Sequence, residues 1–247
     1  MVESRNFKLD TEWNVIHYPE RPNGFGILAI GDERHFVNGK SSFWTQNEGK
    51  RSMLNIWKNE GYTVFYSNLY GRHWGSEKAV DLAKRLCTHI VRNEILNPYF
   101  HIVAEGMGAL VALKLLADSD NKIRSLVLIN PILSLTAHLE QEKENKFFYK
   151  KLIGELETAY ETGIKNLHQR LHDEDAGSES FNKETPVKII HVLSGNRAYK
   201  QSNVIKHLSV EWEKDSLPIT ISYVLPEKKL QIGFQIVQFL SKHEQVL

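Results

Sequence analysis

A six-residue segment, Ala-Glu-Gly-Met-Gly-Ala at positions 104–109, constrains the fold more than any other part of the chain. It follows a β-branched and aromatic run at 99–103 and precedes an apolar run at 110–117. Small residues around a tight turn let a strand and a helix approach closely, and a central glycine takes positive φ without steric penalty. The segment therefore predicts a strand, a sharp turn centred on Gly106, and a helix. Gly106 provides no nucleophile at the centre of that turn.

The bulk composition predicts one globular domain, or one domain with an insertion, in 247 residues. The 31 basic and 30 acidic residues leave a formal net charge of +1, so charge favours neither nucleic acid nor an anionic membrane as a partner. A single cysteine, Cys87, excludes an internal disulfide and fits a reducing compartment. No apolar run approaches the roughly 18 residues of a membrane span, and the N-terminal segment lacks a hydrophobic signal region. We therefore expect a cytoplasmic protein without a membrane span.

Short strand-like runs alternate with amphipathic stretches, which predicts an α/β fold with a mostly parallel sheet flanked by helices. The predicted strands lie at 7–9, 13–18, 26–30, 63–67, 100–104, 125–129, 187–193 and 219–224, and the predicted helices at 49–59, 76–96, 108–117 and 230–241. We assign residues 1–135 and 184–247 to the core and residues 136–183 to a helical cap insertion. Apolar residues at helical spacing over 149–171 predict a cap helix in which Gly154 and Gly163 are the candidate break points, and the acidic run at 173–180 predicts an exposed loop.

The predicted strand, turn and helix resemble the nucleophile elbow of the α/β-hydrolase superfamily, in its small, soluble, lidded form. The nucleophile position is occupied by Gly106. A second stretch, residues 68–76, resembles the turn after the family's fourth strand through Gly71, Gly75 and Ser76. The resemblance covers essentially the whole chain. It implies an eight-stranded-type sheet and a cap insertion that covers an acyl or alcohol pocket.

The resemblance also implies a catalytic triad in the chain order serine, acid, histidine, and this sequence departs from it at all three positions. Gly106 stands in place of the serine. The best match to the acid is Asn196, whose amide carries no charge to stabilise an imidazolium. The loop after the eighth strand has Lys228 and Lys229 and no histidine. We interpret the chain as a hydrolase-like protein with a degenerate catalytic site, which leaves open whether it is an enzyme.

The backbone N–H groups of an oxyanion hole do not depend on the triad. The resemblance assigns one to Met107 and the other to the loop at Asp32 and Glu33, where an acidic side chain opposes developing negative charge unless it turns away. Other candidates lie at the carboxyl edge of the sheet, where α/β proteins bind ligands. The candidate ligand-binding residues are Asp32, Glu33, His73, Trp74, Gly106, Met107, Asn196, Lys228 and Lys229.

Several conspicuous residues are interpreted as structural. Glu105 is expected to pack behind the turn, and His101 and His191 are expected in the core of their strands. His168 and His172 have the spacing of a metal-binding pair, but no carboxylate or cysteine pattern completes a site. We therefore predict neither a metal nor a cofactor.

Two functional hypotheses follow from these observations. The first is a pseudoenzyme that binds a small apolar or acyl-like ligand, or a protein partner. Its ligand would place an oxygen-rich head group near Gly106 and an apolar body under the cap, with Lys228 or Lys229 at the rim. The alternative is a carboxylic-ester or thioester hydrolase that uses non-standard groups, such as a water activated by Glu105, Asp32 or a histidine.

Overall fold

The computed structural model describes residues 3–118, 122–163, 166–167, 171 and 180–244, with the backbone alone at 195–201. The strands are β1 (Ser4–Leu9), β2 (Glu12–His17), β3 (Gly26–Ile30), β4 (Thr63–Ser67), β5 (Phe100–Glu105), β6 (Ile123–Ile129), β7 (Val187–Val192) and β8 (Ile219–Val224). The helices are α1 (Phe43–Gln46), α2 (Glu48–Asn59), α3 (Glu77–Asn93), α4 (Gly108–Ala117), α5 (Leu135–Glu142), α6 (Lys146–Tyr160), α7 (Gly195–Lys214) and α8 (Ile232–Ser241). A 3₁₀ helix, Pro226–Gln231, precedes α8.

The strands form one eight-stranded sheet in the order β1-β2-β4-β3-β5-β6-β7-β8. β2 is antiparallel to β1 and β4, and the strands from β4 to β8 pair in parallel. The structure confirms the predicted α/β class and mostly parallel sheet. The chain reverses its direction of winding between β3 and β5, where Ile30 pairs with Ala104. The loops after these two strands therefore meet at the position where open α/β sheets bind ligands.

Alternating side chains bury both faces of the central strands, as expected when helices cover both sides of a parallel sheet. In β3, Leu28 and Ile30 join the cluster that packs against α3 and α4. Ile27 and Ala29 face the opposite cluster, which includes residues of α2 and α8. The sheet is thus held between two apolar layers, and its carboxyl edge carries the loops of interest.

Helices α5 and α6 share a third apolar cluster with residues of the core. Its members from the core, outside these two helices, are Trp74, Met107, Leu110 and Ile132. The predicted cap helix breaks close to Gly163, one of its two candidate break points. α6 stops at Tyr160, Glu161 takes a left-handed conformation with φ of 49°, and helical backbone recurs at residues 166–167. The predicted loop at 173–179 lies outside the described residues, as do His168 and His172. The assignment of 136–183 as a cap insertion stays a prediction.

Three helices, α1, α5 and α7, were not predicted from the sequence. α1 has only four residues, and α7 begins at Gly195, in a stretch for which no element was predicted. Asn196 is therefore the second residue of a 20-residue helix. The last helix begins at Ile232 rather than 230 because the preceding residues form the 3₁₀ helix.

No helix within the described ranges is both long enough and apolar enough to cross a membrane. Across those same ranges, no group of three or more histidine, cysteine, aspartate or glutamate residues is placed to hold a metal ion.

Candidate functional site

The turn centred on Gly106 has the geometry that the sequence predicts. β5 ends at Glu105, Gly106 takes φ of +54°, and α4 begins at Gly108. A Cβ atom on Gly108 would lie 2.7 Å from the carbonyl oxygen of Ile30, so glycine is needed for α4 to approach β3. The Gly106 N–H donates to the carbonyl of Ile129 at 3.1 Å, which ties the turn to the end of β6.

The carboxylate of Asp32 fills the space that a side chain at Gly106 would enter. An ideal Cβ on Gly106 would lie 2.1 Å from Asp32 Oδ1 and 2.2 Å from its Cγ. The same Oδ1 accepts a hydrogen bond of 3.0 Å from the backbone N–H of Met107. Asp32 therefore does not turn away from the oxyanion position. Its carboxylate accepts the hydrogen bond of the Met107 N–H, the donor predicted for the oxyanion. A ligand atom at the position of a Gly106 side chain would clash with this carboxylate, which argues against the oxygen-rich head group predicted beside Gly106.

The electrostatic setting of Asp32 is that of a partly desolvated acid. Burial raises the pKa of its carboxyl, while the backbone N–H groups of Met107 and Glu33 oppose that rise. The neighbouring carboxylate of Glu105 raises the pKa further. The group accepts a hydrogen bond in either protonation state, so it can hold the turn over a wide pH range.

Glu105 forms an ion pair with Lys50 of α2, and both side chains are largely buried. The ammonium of Lys50 also lies over the ring of Trp44, 5.2 Å from its centroid. Glu105 is therefore held by a charge partner and is not simply packed behind the turn, as the sequence suggested. Lys50 was missed in the sequence because nothing in its helical pattern distinguishes it from a solvated lysine.

A cleft of about 230 Å³ opens beside this ion pair, between α2 and α8, and we call it the α2–α8 cleft. Its polar rim consists of Asn47, Lys50, Ser52, Glu105, Asn130 and Lys229. Its apolar wall consists of Met53, Ile56, Ile129, Val192, Leu230 and Ile232. Lys229 was predicted as a ligand-binding residue and lines this cleft. Its neighbour Lys228 is exposed and does not.

A second cleft of about 300 Å³ lies between the core loops and helices α5 and α6, and we call it the cap cleft. Glu33 and Trp74, both predicted candidates, line it together with Glu142 and Glu155. The Trp74 indole N–H donates to the carboxylate of Glu155 at 3.0 Å, and the backbone carbonyl of Trp74 accepts from the hydroxyl of Tyr160 at 2.7 Å. Trp74 thus links α6 to the core. The lining of this cleft combines the carboxylates of Glu33, Glu142 and Glu155 with the cations of Arg34 and Lys151.

The described candidates Asp32, His73, Gly106, Met107 and Lys228 line neither cleft. His73 is buried, and its Nδ1 accepts from the Gly75 N–H at 3.2 Å. Burial lowers the pKa of His73 to about 3, with a smaller contribution from His35. His73 is therefore a neutral core group, contrary to its predicted position at a ligand. The side chain of Asn196 lies outside the described residues.

No protein-family model matches the chain. Over 103 residues the chain is 30% identical to a probable lysophospholipase, BODYGUARD 4, from Arabidopsis thaliana. That match covers 39% of this chain and 23% of the relative, so the chain spans less than a quarter of the relative's length.

Several solved structures match almost from end to end, and two of them serve as examples. Est1E from Butyrivibrio proteoclasticus superposes with a TM-score of 0.64 at 11% identity, covering 98% of this chain and 99% of that one. The fluorophosphonate-binding serine hydrolase FphF from Staphylococcus aureus gives 0.63 at 13% identity, covering 97% and 96%. Esterases and serine hydrolases thus share the architecture from β1 to α8. The protein has the α/β-hydrolase fold.

Proposed function

We propose that this protein is a non-catalytic member of the hydrolase fold, which binds a ligand or a partner and does not cleave esters at its elbow. The observation that carries the proposal is the Asp32 carboxylate, which occupies the space of a nucleophile's side chain and engages the Met107 N–H. The assignment of residues 136–183 as a cap insertion belongs to the same proposal.

Three chemical requirements of elbow catalysis argue for this proposal. Gly106 has no atom that can attack a carbonyl. The 3₁₀ helix after β8, where the family's histidine is expected, contains Lys228 and Lys229 and no imidazole. Acyl transfer also needs donors aimed at a developing oxyanion, and the carboxylate of Asp32 would compete for the Met107 N–H and repel that charge.

Ester hydrolysis by three proteins tests the proposal: the wild type, Gly106→Ser, and Gly106→Ser/Asp32→Ala. The double variant gives the new serine room and frees the oxyanion donor. We expect all three to release p-nitrophenol from acetate and butyrate esters at the rate of buffer, because an isolated serine hydroxyl is a weak nucleophile at neutral pH. Circular dichroism confirms that each variant is folded. Burst release from either serine variant would show that a base stands within reach and that the argument from the missing histidine is wrong. Ester cleavage by the wild type would contradict the proposal itself.

One observation favours the alternative, hydrolysis by an activated water. Burial raises the pKa of Asp32, and a carboxyl with a raised pKa is a better general base. If the wild type cleaves an ester or thioester, Asp32→Asn should abolish the rate, and Glu105→Gln should show whether the second carboxylate is also required. Wild-type turnover that Asp32→Asn removes would replace the non-catalytic proposal with this one.

A further inference from the structure

The α2–α8 cleft combines a balanced ion pair with one additional positive charge. Lys50 and Glu105 neutralise each other across the rim. The ammonium of Lys229 is exposed and forms no ion pair with any residue that the structure describes. The rim therefore carries one net positive charge, which favours a ligand with a single negative charge.

The backbone around the cleft adds to this preference. The first turn of α2, a helix of 12 residues, lines the cleft at Gly49 and Lys50. α8 continues directly from the 3₁₀ helix, and its Ile232 N–H already donates to the carbonyl of Lys229. The amino-terminal end of a helix carries partial positive charge and favours anions. Asn47 and Asn130 add polar side chains to the same rim.

The opposite wall is apolar and in part exposed. Met53, Ile56, Ile129 and Val192 line it, and Leu230 at the entrance is 74% exposed. Covering such a surface with an apolar ligand removes it from water, which lowers the free energy of the complex. The cleft's 230 Å³ lies just below the range of about 300–1,000 Å³ typical of small-molecule pockets, so its ligand is smaller than a drug-sized molecule.

We propose that the α2–α8 cleft binds a small monocarboxylate, with the carboxylate at Lys229 and a short alkyl body against the wall of Met53 and Ile129. This inference rests on the proposed binding function and specifies its ligand class. It also moves the predicted anion site from the space beside Gly106, which Asp32 fills, to the cleft that Glu105 and Lys229 line. A dianion fits less well, because Glu105 stands in the same rim.

Calorimetric titration at low salt with acetate, butyrate and hexanoate tests the site. Each methylene buried against the wall should tighten binding by up to about fourfold, the equivalent of about 0.8 kcal/mol. Hexylammonium, with the same alkyl body and the opposite charge, should bind at least about fivefold more weakly than hexanoate. Inorganic phosphate separates a simple anion site from a carboxylate site with an apolar wall. Phosphate binding as tight as that of hexanoate, or no saturable hexanoate binding, would overturn the proposal.

Two matched pairs of variants place the ligand. Lys229→Ala should weaken hexanoate binding by about fivefold, whereas Lys228→Ala, next to it but outside the cleft, should leave it unchanged. Ser52→Trp should block the cleft, whereas Asn55→Trp on the same exposed helix surface should not. Equal effects within either pair would refute this location. Ester hydrolysis by the wild type would instead refute the proposed function, and the binding data would still decide whether the cleft binds hexanoate.

Discussion

Replacing Gly106 with alanine tests whether Asp32 fills the elbow. The new Cβ would lie 2.1 Å from Asp32 Oδ1, so the carboxylate must move and the Met107 N–H loses its acceptor. A non-glycine residue at left-handed φ costs about 1–2 kcal/mol. A buried N–H left without a partner costs about 1–3 kcal/mol. We therefore expect Gly106→Ala to lower the free energy of unfolding by about 3 kcal/mol.

Gly71 supplies a matched control for the backbone contribution. It has φ of +75°, and a Cβ there meets nothing within 4 Å, so Gly71→Ala should cost only the backbone strain of about 1–2 kcal/mol. The difference between the two substitutions isolates the contact with Asp32. In an Asp32→Ala background, Gly106→Ala should then cost no more than Gly71→Ala does.

Urea denaturation followed by circular dichroism measures the unfolding free energies of the wild type and of the four variants. Coupling of about 2 kcal/mol between positions 32 and 106 is the expected result. If Gly106→Ala is no more destabilising than Gly71→Ala, or if the two sites are additive, the carboxylate does not occupy the elbow and the reasoning fails.

Two further predictions concern buried polar groups. The hydroxyl of Tyr66 lies 2.8 Å from His17 Nε2 and 2.7 Å from Ser42 Oγ, so Tyr66→Phe should destabilise the protein by about 2 kcal/mol. Tyr223→Phe, at a 51% exposed residue, should cost almost nothing, and similar losses for both would contradict the network. Burial raises the pKa of Asp32 above its unfolded value of about 3.9, so the folded state holds that proton more tightly and stability falls as pH rises from about 4 through the folded pKa. Asp32→Asn should remove this contribution to the pH dependence of the unfolding free energy, measured between pH 4.5 and 7. If wild type and variant show the same pH dependence, the pKa of Asp32 is not raised in the folded state.

The sequence predicts the central sheet well because each of its strands is a short apolar run bounded by turn residues. The bounds predicted for β3, β4, α4 and β8 coincide with those observed. The elbow is predictable for the same reason, since small residues at 104–109 leave few other conformations. α7 is different, because its polar segment shows no strong apolar stripe and few of its described side chains are buried, among them Ile205 and Trp212.

The chemistry at the elbow depends on side-chain directions that no local pattern encodes. The sequence indicates an acidic residue near the oxyanion position, but not that the Asp32 carboxylate points at Gly106. The pairing of Ile30 with Ala104 brings the two loops together, and the missing side chain of Gly106 leaves the space that Asp32 enters. The ion pair between Lys50 and Glu105 likewise joins residues far apart in the chain, and only the packing of α2 on the sheet brings them into contact.

Labelling of the wild-type protein with a fluorophosphonate probe, read by intact-protein mass spectrometry, tests the non-catalytic proposal most directly. Such probes react with serines that a neighbouring base activates, as in the hydrolases that share this fold. With Gly106 at the elbow and Asp32 at the oxyanion donor, we predict no mass increase above that of heat-denatured protein. A stoichiometric adduct on any serine of the folded protein would contradict the account.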